Sequence, residues 1–280
     1  MAAFYGASRI VLSTNANQGK LKWFHASNNG YLYRFKNDYK NSVRKFQRCK
    51  IGETSWTDIE FPGDSDVIMR LSSTTSFFYS PYEKTNQLFM ARTDDHGTLK
   101  ASSIELDDDV QVALPDQGRD GCVFYTKSPE TFVVHYRRPG QTATEVPKVS
   151  NLIDYARFKF CLGYESALFW FTPSGELEPK LVINRLDISG NHTHSRVETP
   201  FLQTLIGKQL VPDGKGYLVA ANESTLFVMD PNSLACHIEH LQRPVRIFGA
   251  TPQGDLMATE LRHDKTIVVN LFRTNRVISG

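Results

Sequence analysis

Residues 30–50, GYLYRFKNDYKNSVRKFQRCK, are rich in basic and aromatic side chains. Seven basic residues stand against a single acidic one, Asp38, and aromatic residues are interleaved with them. Lysine and arginine neutralise phosphates and pair with carboxylates, and aromatic rings stack on nucleic-acid bases. This composition therefore indicates a surface for an anionic partner, either an acidic protein or a single-stranded nucleic acid.

The alternation of residue types within this segment limits that interpretation. Successive side chains of a strand point to opposite faces, so Tyr31, Tyr33 and Phe35 share one face. In a packed β-structure such rings become core and the charges lie at the rim, so a solvated basic hairpin without a partner is the alternative interpretation. We predict that six basic residues contact the partner: Arg34, Lys36, Lys40, Arg44, Lys45 and Arg48.

The charge of the chain is distributed unevenly, although its net value of +2 is ordinary. Residues 1–50 hold ten Lys or Arg and one acidic residue, whereas the remaining 230 residues hold 22 basic and 29 acidic ones. One end of the chain is therefore strongly basic and the rest is mildly acidic. Such asymmetry steers an anionic partner toward one side of a molecule.

Metal and catalytic motifs are weak in comparison. His192 and His194 would share one face of a strand and could meet one ion, but no third ligand stands at a recognisable spacing. The glycine-rich turn at residues 116–121 has Lys127 where a calcium loop needs a glutamate. No GxSxG elbow and no CxxC pair occurs, and the four cysteines read as reduced thiols, most of them buried. We predict no metal site, no catalytic residue and no cofactor.

The elements that position these residues are short strands broken by turns every six to ten residues. Aligning the turns indicates six copies of a four-stranded unit, at residues 8–66, 67–109, 110–156, 157–201, 202–243 and 244–280. The last copy reads VRIFGA, DLMATEL, TIVVNLF and RVIS. The first copy reads SRIVLS, KLKWFHA, YLYRFKN and then either SVRKFQRCK or SWTDIEFP. The copy at residues 157–201 begins with RFKFCLG.

A repeat of this period favours a ring. Third-strand positions of successive units are separated by 41–56 residues, near the 40–50 typical of propeller blades. A four-stranded sheet with two apolar faces cannot bury both alone, and radial stacking also protects its edges. We predict a single all-β domain over residues 1–280, a six-bladed β-propeller. A seven-bladed propeller and a β-sandwich are the structural alternatives.

In its repeated pattern of strands and turns, the whole chain resembles β-propeller proteins. The Trp-Asp dipeptide, the kelch Gly-Gly doublet and the Asp-box motif are absent, so no particular family is indicated. The stretch KLKWFHASNNGYLYRF also resembles a blade of six-bladed fungal lectins, which bind sugars with aromatic and Arg/Glu side chains. That resemblance implies a sugar or aromatic platform at Trp23, Arg34 and Glu60.

A propeller without a catalytic set is typically a rigid platform for other macromolecules. We therefore predict a non-enzymatic protein-interaction scaffold that uses its loops and the basic hairpin. The alternatives are a nucleic-acid-binding propeller, a lectin, and a hydrolase whose carboxylates meet in the central channel. No apolar run reaches the length of a membrane span and no signal peptide is evident, so we expect no membrane contact and an intracellular location, cytoplasmic or nuclear.

Overall fold

The structure is a computed structural model of the chain. It describes residues 5–15, 25–26, 30–38, 43–60, 67–72, 76–81, 89–94, 96, 98–102, 110–119, 121–175, 180–197, 205, 210–222, 224–241, 244–250, 254–261 and 266–274.

The described strands form six four-stranded antiparallel sheets, named here in chain order. Sheet 1 holds β2 (His25–Ala26), β3 (Tyr31–Asp38), β4 (Val43–Lys50) and β5 (Thr57–Ile59). Sheet 2 holds β6 (Val67–Ser72), β7 (Ser76–Pro81), β8 (Phe89–Thr93) and β9 (Leu99–Ser102). Sheet 3 holds β10 (Val112–Pro115), β11 (Val123–Thr126), β12 (His135–Arg137) and β13 (Thr144–Glu145).

The remaining three sheets follow the same pattern. Sheet 4 holds β14 (Leu162–Tyr164), β15 (Ala167–Pro173), β16 (Leu181–Asp187) and β17 (His192–Val197). Sheet 5 holds β18 (Val211–Pro212), β19 (Leu218–Asn222), β20 (Thr225–Met229) and β21 (Cys236–His240). Sheet 6 holds β22 (Arg246–Ala250), β23 (Leu256–Leu261), β24 (Thr266–Thr274) and β1 (Tyr5–Asn15).

The sheets are arranged as the blades of a β-propeller. The first strand of one sheet contacts the first strand of the next: β10 contacts both β6 and β14, and β22 contacts both β18 and β2. First strands therefore line the inside, and each later strand lies farther out. The predicted all-β propeller of four-stranded antiparallel blades is confirmed.

The last sheet is completed by the first strand of the chain, which corrects two strand assignments. β1 pairs with β24 from Tyr5–Thr274 to Asn15–Thr266, so SRIVLS belongs to sheet 6 and not to the first unit. The outer position of sheet 6, where RVIS was expected, is filled by β1, and RVIS itself lies outside the described residues. In sheet 1, both SVRKFQRCK and part of SWTDIEFP supply strands, β4 and β5. The period-2 pattern identifies a strand but does not name its partner.

The core lies between neighbouring sheets. Phe169 and Phe171 of sheet 4 pack with Leu218 and Phe227 of sheet 5, and the rings of Phe171 and Phe227 meet edge-on at 5.6 Å. A second cluster joins sheets 3 and 4 and a smaller one joins sheets 5 and 6. Burial of both faces of sheets 3, 4 and 5 explains why their strands read as β-branched and aromatic runs.

Two short helices interrupt the strand pattern between sheets 3 and 4. They are α1 (Val149–Leu152) and α2 (Tyr155–Phe158), and Asp154 caps α2 by accepting a hydrogen bond from the Arg157 amide at 2.7 Å. The stretch RFKFCLG is therefore not the first strand of sheet 4. Phe158 is buried while Phe160 is 54% exposed, because the chain turns after α2 rather than alternating as a strand would. Within the described residues, no helix has the length and apolar character needed to cross a membrane.

Candidate functional site

The basic hairpin is an eight-pair antiparallel ribbon of β3 and β4, called the basic ribbon below. Its register runs from Tyr31 opposite Lys50 to Asp38 opposite Val43. Residues directly opposite each other share a face, so the register defines two faces. Face A carries the pairs Leu32–Cys49, Arg34–Gln47 and Lys36–Lys45, and face B carries the pairs Tyr33–Arg48, Phe35–Phe46 and Asn37–Arg44.

Two lysines occupy a directly opposed position on face A of the ribbon. Lys36 pairs with Lys45, two residue pairs beyond Arg34 and Gln47 and therefore next on the same face. Like charges placed opposite one another across antiparallel strands destabilise the pair unless an anion lies nearby. The faces on which Lys36, Arg44 and Lys45 lie are assigned from the backbone register of the ribbon. Lys40 lies outside the described residues.

Arg34 lies within a polar network in sheet 1 and is only 9% exposed. Its Nε donates to Gln47 Oε1 at 2.8 Å, and Gln47 Nε2 donates to Asp58 Oδ1 at 2.5 Å. The guanidinium carbon also lies 4.0 Å from the centroid of the Trp56 ring, a cation–π contact. The register explains the grouping, because Arg34 faces Gln47 on β4 and Gln47 faces Asp58 on β5.

Burial governs the electrostatics of this network. The pKa of Arg34 is lowered because the guanidinium is stripped of water, against a smaller raising effect from Cys49 and Asp58. The pKa of the Cys49 thiol is raised, first by burial and then by the charge of Glu53, so it favours the neutral form. The network therefore holds one buried cation, and the Gln47 amide hydrogen-bonds to both Arg34 and the carboxylate of Asp58.

Arg48 is placed on face B and joins two sheets. Its Nη1 donates to the His96 carbonyl at 2.6 Å and to Thr98 Oγ1 at 3.1 Å, just before β9 of sheet 2. The guanidinium also lies 5.2 Å from the ring of Tyr31. On the same face, the rings of Tyr33 and Phe46 are buried and stacked at 5.7 Å. Face B thus turns toward sheet 2.

The residues suggested for a sugar platform are not seen together. Trp23 lies outside the described residues, Arg34 is buried against Trp56, and Glu60 is exposed just after β5. The aromatic partner of Arg34 is therefore Trp56, which the sequence analysis had not assigned to it.

The two histidines of β17 do share a face, as strand alternation requires. The ring of His192 stacks on Trp170 at 5.8 Å and on His194 at 5.7 Å, and His192 Nε2 lies 3.1 Å from Asn184 Oδ1. The pKa of His192 is lowered, first by burial and then by the neighbouring His194. Among the residues that the structure describes, no group of three or more His, Cys, Asp or Glu is placed to hold a metal ion.

Two buried aspartates connect neighbouring sheets. Asp116, after β10, accepts hydrogen bonds from the Tyr136 hydroxyl at 2.9 Å, the Ser166 amide at 2.7 Å and the Gly118 amide at 3.1 Å. Burial raises the pKa of Asp116 although these donors oppose the shift. Asp213, after β18, accepts from the Tyr5 hydroxyl at 3.1 Å in the same manner. Each aspartate follows a Pro at the end of the first strand of its sheet. Each stabilises the contact of two neighbouring sheets, and neither is assigned a reactive role.

A groove of about 640 Å³ lies beside the two helices. It is lined by Pro129, Glu130, Phe132 and residues 150–157. The Phe132 ring meets Tyr155 edge-on at 6.2 Å, so part of the lining is aromatic. The rim is mixed in charge, because Asp154 pairs with Arg157 at 3.9 Å.

The comparisons with known proteins show the fold. No family model matches the sequence, and the search of curated proteins found no match. A protein of unknown function from Bacteroides thetaiotaomicron aligns with 95% of this chain and 76% of its own, at 9% identity and a TM-score of 0.51. Prolyl oligopeptidase B from Galerina marginata aligns with 81% of this chain and 34% of its own, at 11% identity and a TM-score of 0.50. The β-propeller domain of Cps50 (Swd1) from Myceliophteria thermophila aligns with 94% of this chain and 99% of its own, at 8% identity and a TM-score of 0.43.

Proposed function

We propose that the protein is a non-enzymatic scaffold that binds an acidic protein through the basic ribbon of sheet 1. The observation that carries the proposal is the cross-strand pairing of Lys36 with Lys45. Like charges at directly opposed positions of two antiparallel strands destabilise the pair. A carboxylate-rich surface that covers the ribbon relieves the repulsion and gains charge-assisted hydrogen bonds.

The aromatic residues favour a protein partner over a nucleic acid. Single-stranded nucleic acid needs rings that are open for base stacking. Tyr33 is 1% exposed and Phe46 is 5% exposed, and the two rings stack on each other. These two rings are therefore part of the packing of sheet 1, and we assign the selection of the partner to the positive charges of Lys36, Arg44 and Lys45.

We propose Lys36, Lys40, Arg44 and Lys45 as the contacts that attract the partner by their charge. Arg34 is buried in sheet 1 and is not part of this charged group. Arg48 donates within the chain to His96 and Thr98, so its removal also loosens the contact of sheets 1 and 2. For this reason the test below leaves Arg48 intact.

The test is a pull-down from native lysate with the triple variant Lys36→Gln, Arg44→Gln and Lys45→Gln. The expected result is loss of the captured proteins at low salt, with an unchanged circular dichroism spectrum. A matched control variant neutralises three basic residues elsewhere: Lys148→Gln, Arg157→Gln and Arg246→Gln. Capture that is equal for both variants contradicts the proposal, and capture lost after nuclease treatment indicates nucleic acid instead.

We also propose that the six sheets close into one six-bladed ring and that the protein acts inside the cell. Six four-stranded sheets, the contact of β2 with β22, and the Arg48 hydrogen bonds to sheet 2 support the ring. Buried free thiols at Cys49, Cys122 and Cys161 support a reducing compartment. Scattering of the purified protein and fractionation of cells that express it test these two proposals.

A further inference from the structure

We propose that the Arg34 guanidinium anchors one carboxylate of the acidic partner, at a site on face A of sheet 1 formed with Trp56, Gln47 and Asp58. The inference rests on the proposed function and deepens it, because it names the contact that recognises the partner chemically. The lysines of the ribbon supply long-range attraction, whereas Arg34 supplies directional hydrogen bonds.

The geometry holds the guanidinium in place but leaves its outer edge uncommitted. The Trp56 ring covers one side of the guanidinium at 4.0 Å, and Gln47 Oε1 accepts from Nε at 2.8 Å. In the described part of the chain, that bond is the one hydrogen bond that the Arg34 side chain donates. The two Nη groups therefore present the planar fork that binds a carboxylate through two parallel hydrogen bonds.

The energetics favour a binding role over a purely structural one. Arg34 as a whole residue is 9% exposed, so its guanidinium has lost much of its hydration, and burying a charge is costly unless it is paired. The charge of Asp58 attracts Arg34, but the hydrogen bond of its Oδ1 in this network is accepted from the Gln47 amide. Within the described residues, no carboxylate hydrogen-bonds directly to this cation. A cation that is oriented in advance binds a carboxylate without the entropic cost of ordering a flexible side chain.

The surroundings select a carboxylate rather than a phosphate. Asp58 carries a negative charge beside the site, and it repels a dianionic phosphate more strongly than a single carboxylate. The half-buried Trp56 ring offers apolar surface to the methylene groups of a glutamate side chain. The next pair on face A, Lys36 and Lys45, lies where a neighbouring acidic residue of the same peptide would follow. The chemistry therefore indicates a glutamate-rich peptide.

The first test measures the site itself. The Nε–Hε NMR signal of Arg34 in the ¹⁵N-labelled chain, assigned by its loss in Arg34→Lys, is followed during titration with glutarate and, separately, with inorganic phosphate. The expected result is a saturable shift with glutarate and a weaker effect of phosphate. No shift with glutarate, or a stronger shift with phosphate, overturns the inference.

The second test measures affinity. A fluorescein-labelled hexaglutamate peptide is titrated with wild type, with Arg34→Lys, and with the remote matched control Arg157→Lys, all checked by near-UV circular dichroism. We expect Arg34→Lys to weaken binding by about tenfold or more, because it keeps the charge but loses the fork, while Arg157→Lys binds as wild type does. Equal binding by Arg34→Lys and wild type overturns the inference.

The two proposals fail in different ways. If the ribbon triple variant loses its captured proteins while Arg34→Lys binds hexaglutamate normally, the scaffold function stands and the Arg34 anchor is wrong. If the triple variant captures its proteins normally while Arg34→Lys loses hexaglutamate binding and the Arg34 Nε signal responds to glutarate, the anchor stands and the ribbon assignment is wrong.

Discussion

Sheet 1 and sheet 3 bury a charged side chain in opposite ways. Asp116 of sheet 3 is 3% exposed, and three donors from two sheets surround its carboxylate. Arg34 of sheet 1 is 9% exposed, but one of its nitrogen atoms donates within the described structure. The same four-stranded unit therefore uses burial for stability in one place and keeps hydrogen-bonding capacity in another. A satisfied buried charge indicates architecture, whereas an incompletely satisfied one indicates a ligand.

The largest expected effect comes from removing the satisfied charge. Asp116→Ala leaves the Ser166 and Gly118 amides without their acceptor and leaves the Tyr136 hydroxyl with its contact to Ser166 Oγ, and we expect a loss of about 3 kcal/mol in the free energy of unfolding. Urea denaturation followed by tryptophan fluorescence measures it. Tyr136→Phe, which removes one of the three donors, is the graded control and costs about 1 kcal/mol. Equal losses for the two variants would contradict the network.

The next effect concerns the junction of sheets 3 and 4. Gly163 pairs with Asp116, and an added Cβ would lie 2.8 Å from the Phe124 ring and 2.8 Å from the Pro115 carbonyl oxygen. Gly163→Ala is therefore expected to reduce the free energy of unfolding by about 2 kcal/mol. Thermal unfolding checks this value against Gly175→Ala, where an added Cβ meets no atom within 4 Å. Equal thermal unfolding midpoints for the two variants would show that the junction of sheets 3 and 4 accommodates the added methyl group.

A smaller effect is expected when the incompletely satisfied charge is removed. Arg34→Met keeps the contact with Trp56 and removes the buried cation, so the free energy of unfolding should change by less than about 1 kcal/mol in either direction. Urea denaturation under the conditions used for Asp116→Ala gives a direct comparison. A loss as large as that of Asp116→Ala would assign Arg34 to architecture and weaken the comparison of the two sheets.

The smallest effect is a pH dependence at His192. Its pKa is lower in the folded protein than in the unfolded chain, so the folded state binds a proton less readily. The sign follows from linkage: this stabilising contribution is present above the unfolded value of about 6.5 and is lost as pH falls through the lower folded value. Thermal midpoints between pH 7.5 and 5 should therefore fall less for His192→Gln than for wild type. Identical pH profiles would contradict the assignment.

Much of the fold was readable from the sequence because strand signals are local. Period-2 alternation and turn residues located most strands, such as Leu181–Asp187 and Thr225–Met229. The partner of β1 could not be predicted, because the residue pattern of a strand does not specify which strand it pairs with, and β24 lies more than 250 residues away. The α2 helix was missed because four residues give too few turns for a helical period.

The site was predicted in part. Composition drew attention to Arg34 and the ribbon, but alternation alone could not show that Arg34 is buried, since the burial of a face depends on the neighbouring sheet. Trp56, Gln47 and Asp58 were missed, although the hairpin register offered a signal. Once β3, β4 and β5 are aligned, Arg34, Gln47 and Asp58 fall in one row. Whether the lysines and arginines of the ribbon contact a partner stays a prediction.

The pairing of β1 with β24 has a consequence for the order of events during folding. Sheets 1 to 5 are each assembled from strands that are consecutive in the chain, and such local hairpins form early. Sheet 6 forms only when two segments more than 250 residues apart in the sequence pair, so its formation carries the entropic cost of closing that long loop. On the ribosome, β1 emerges before β24 and cannot pair with it until β24 has been synthesised. Between the synthesis of β1 and that of β24, the unpaired edges of β1 are exposed to aggregation. The duration of this exposure is set by the rate of translation rather than by the rate at which the two strands pair.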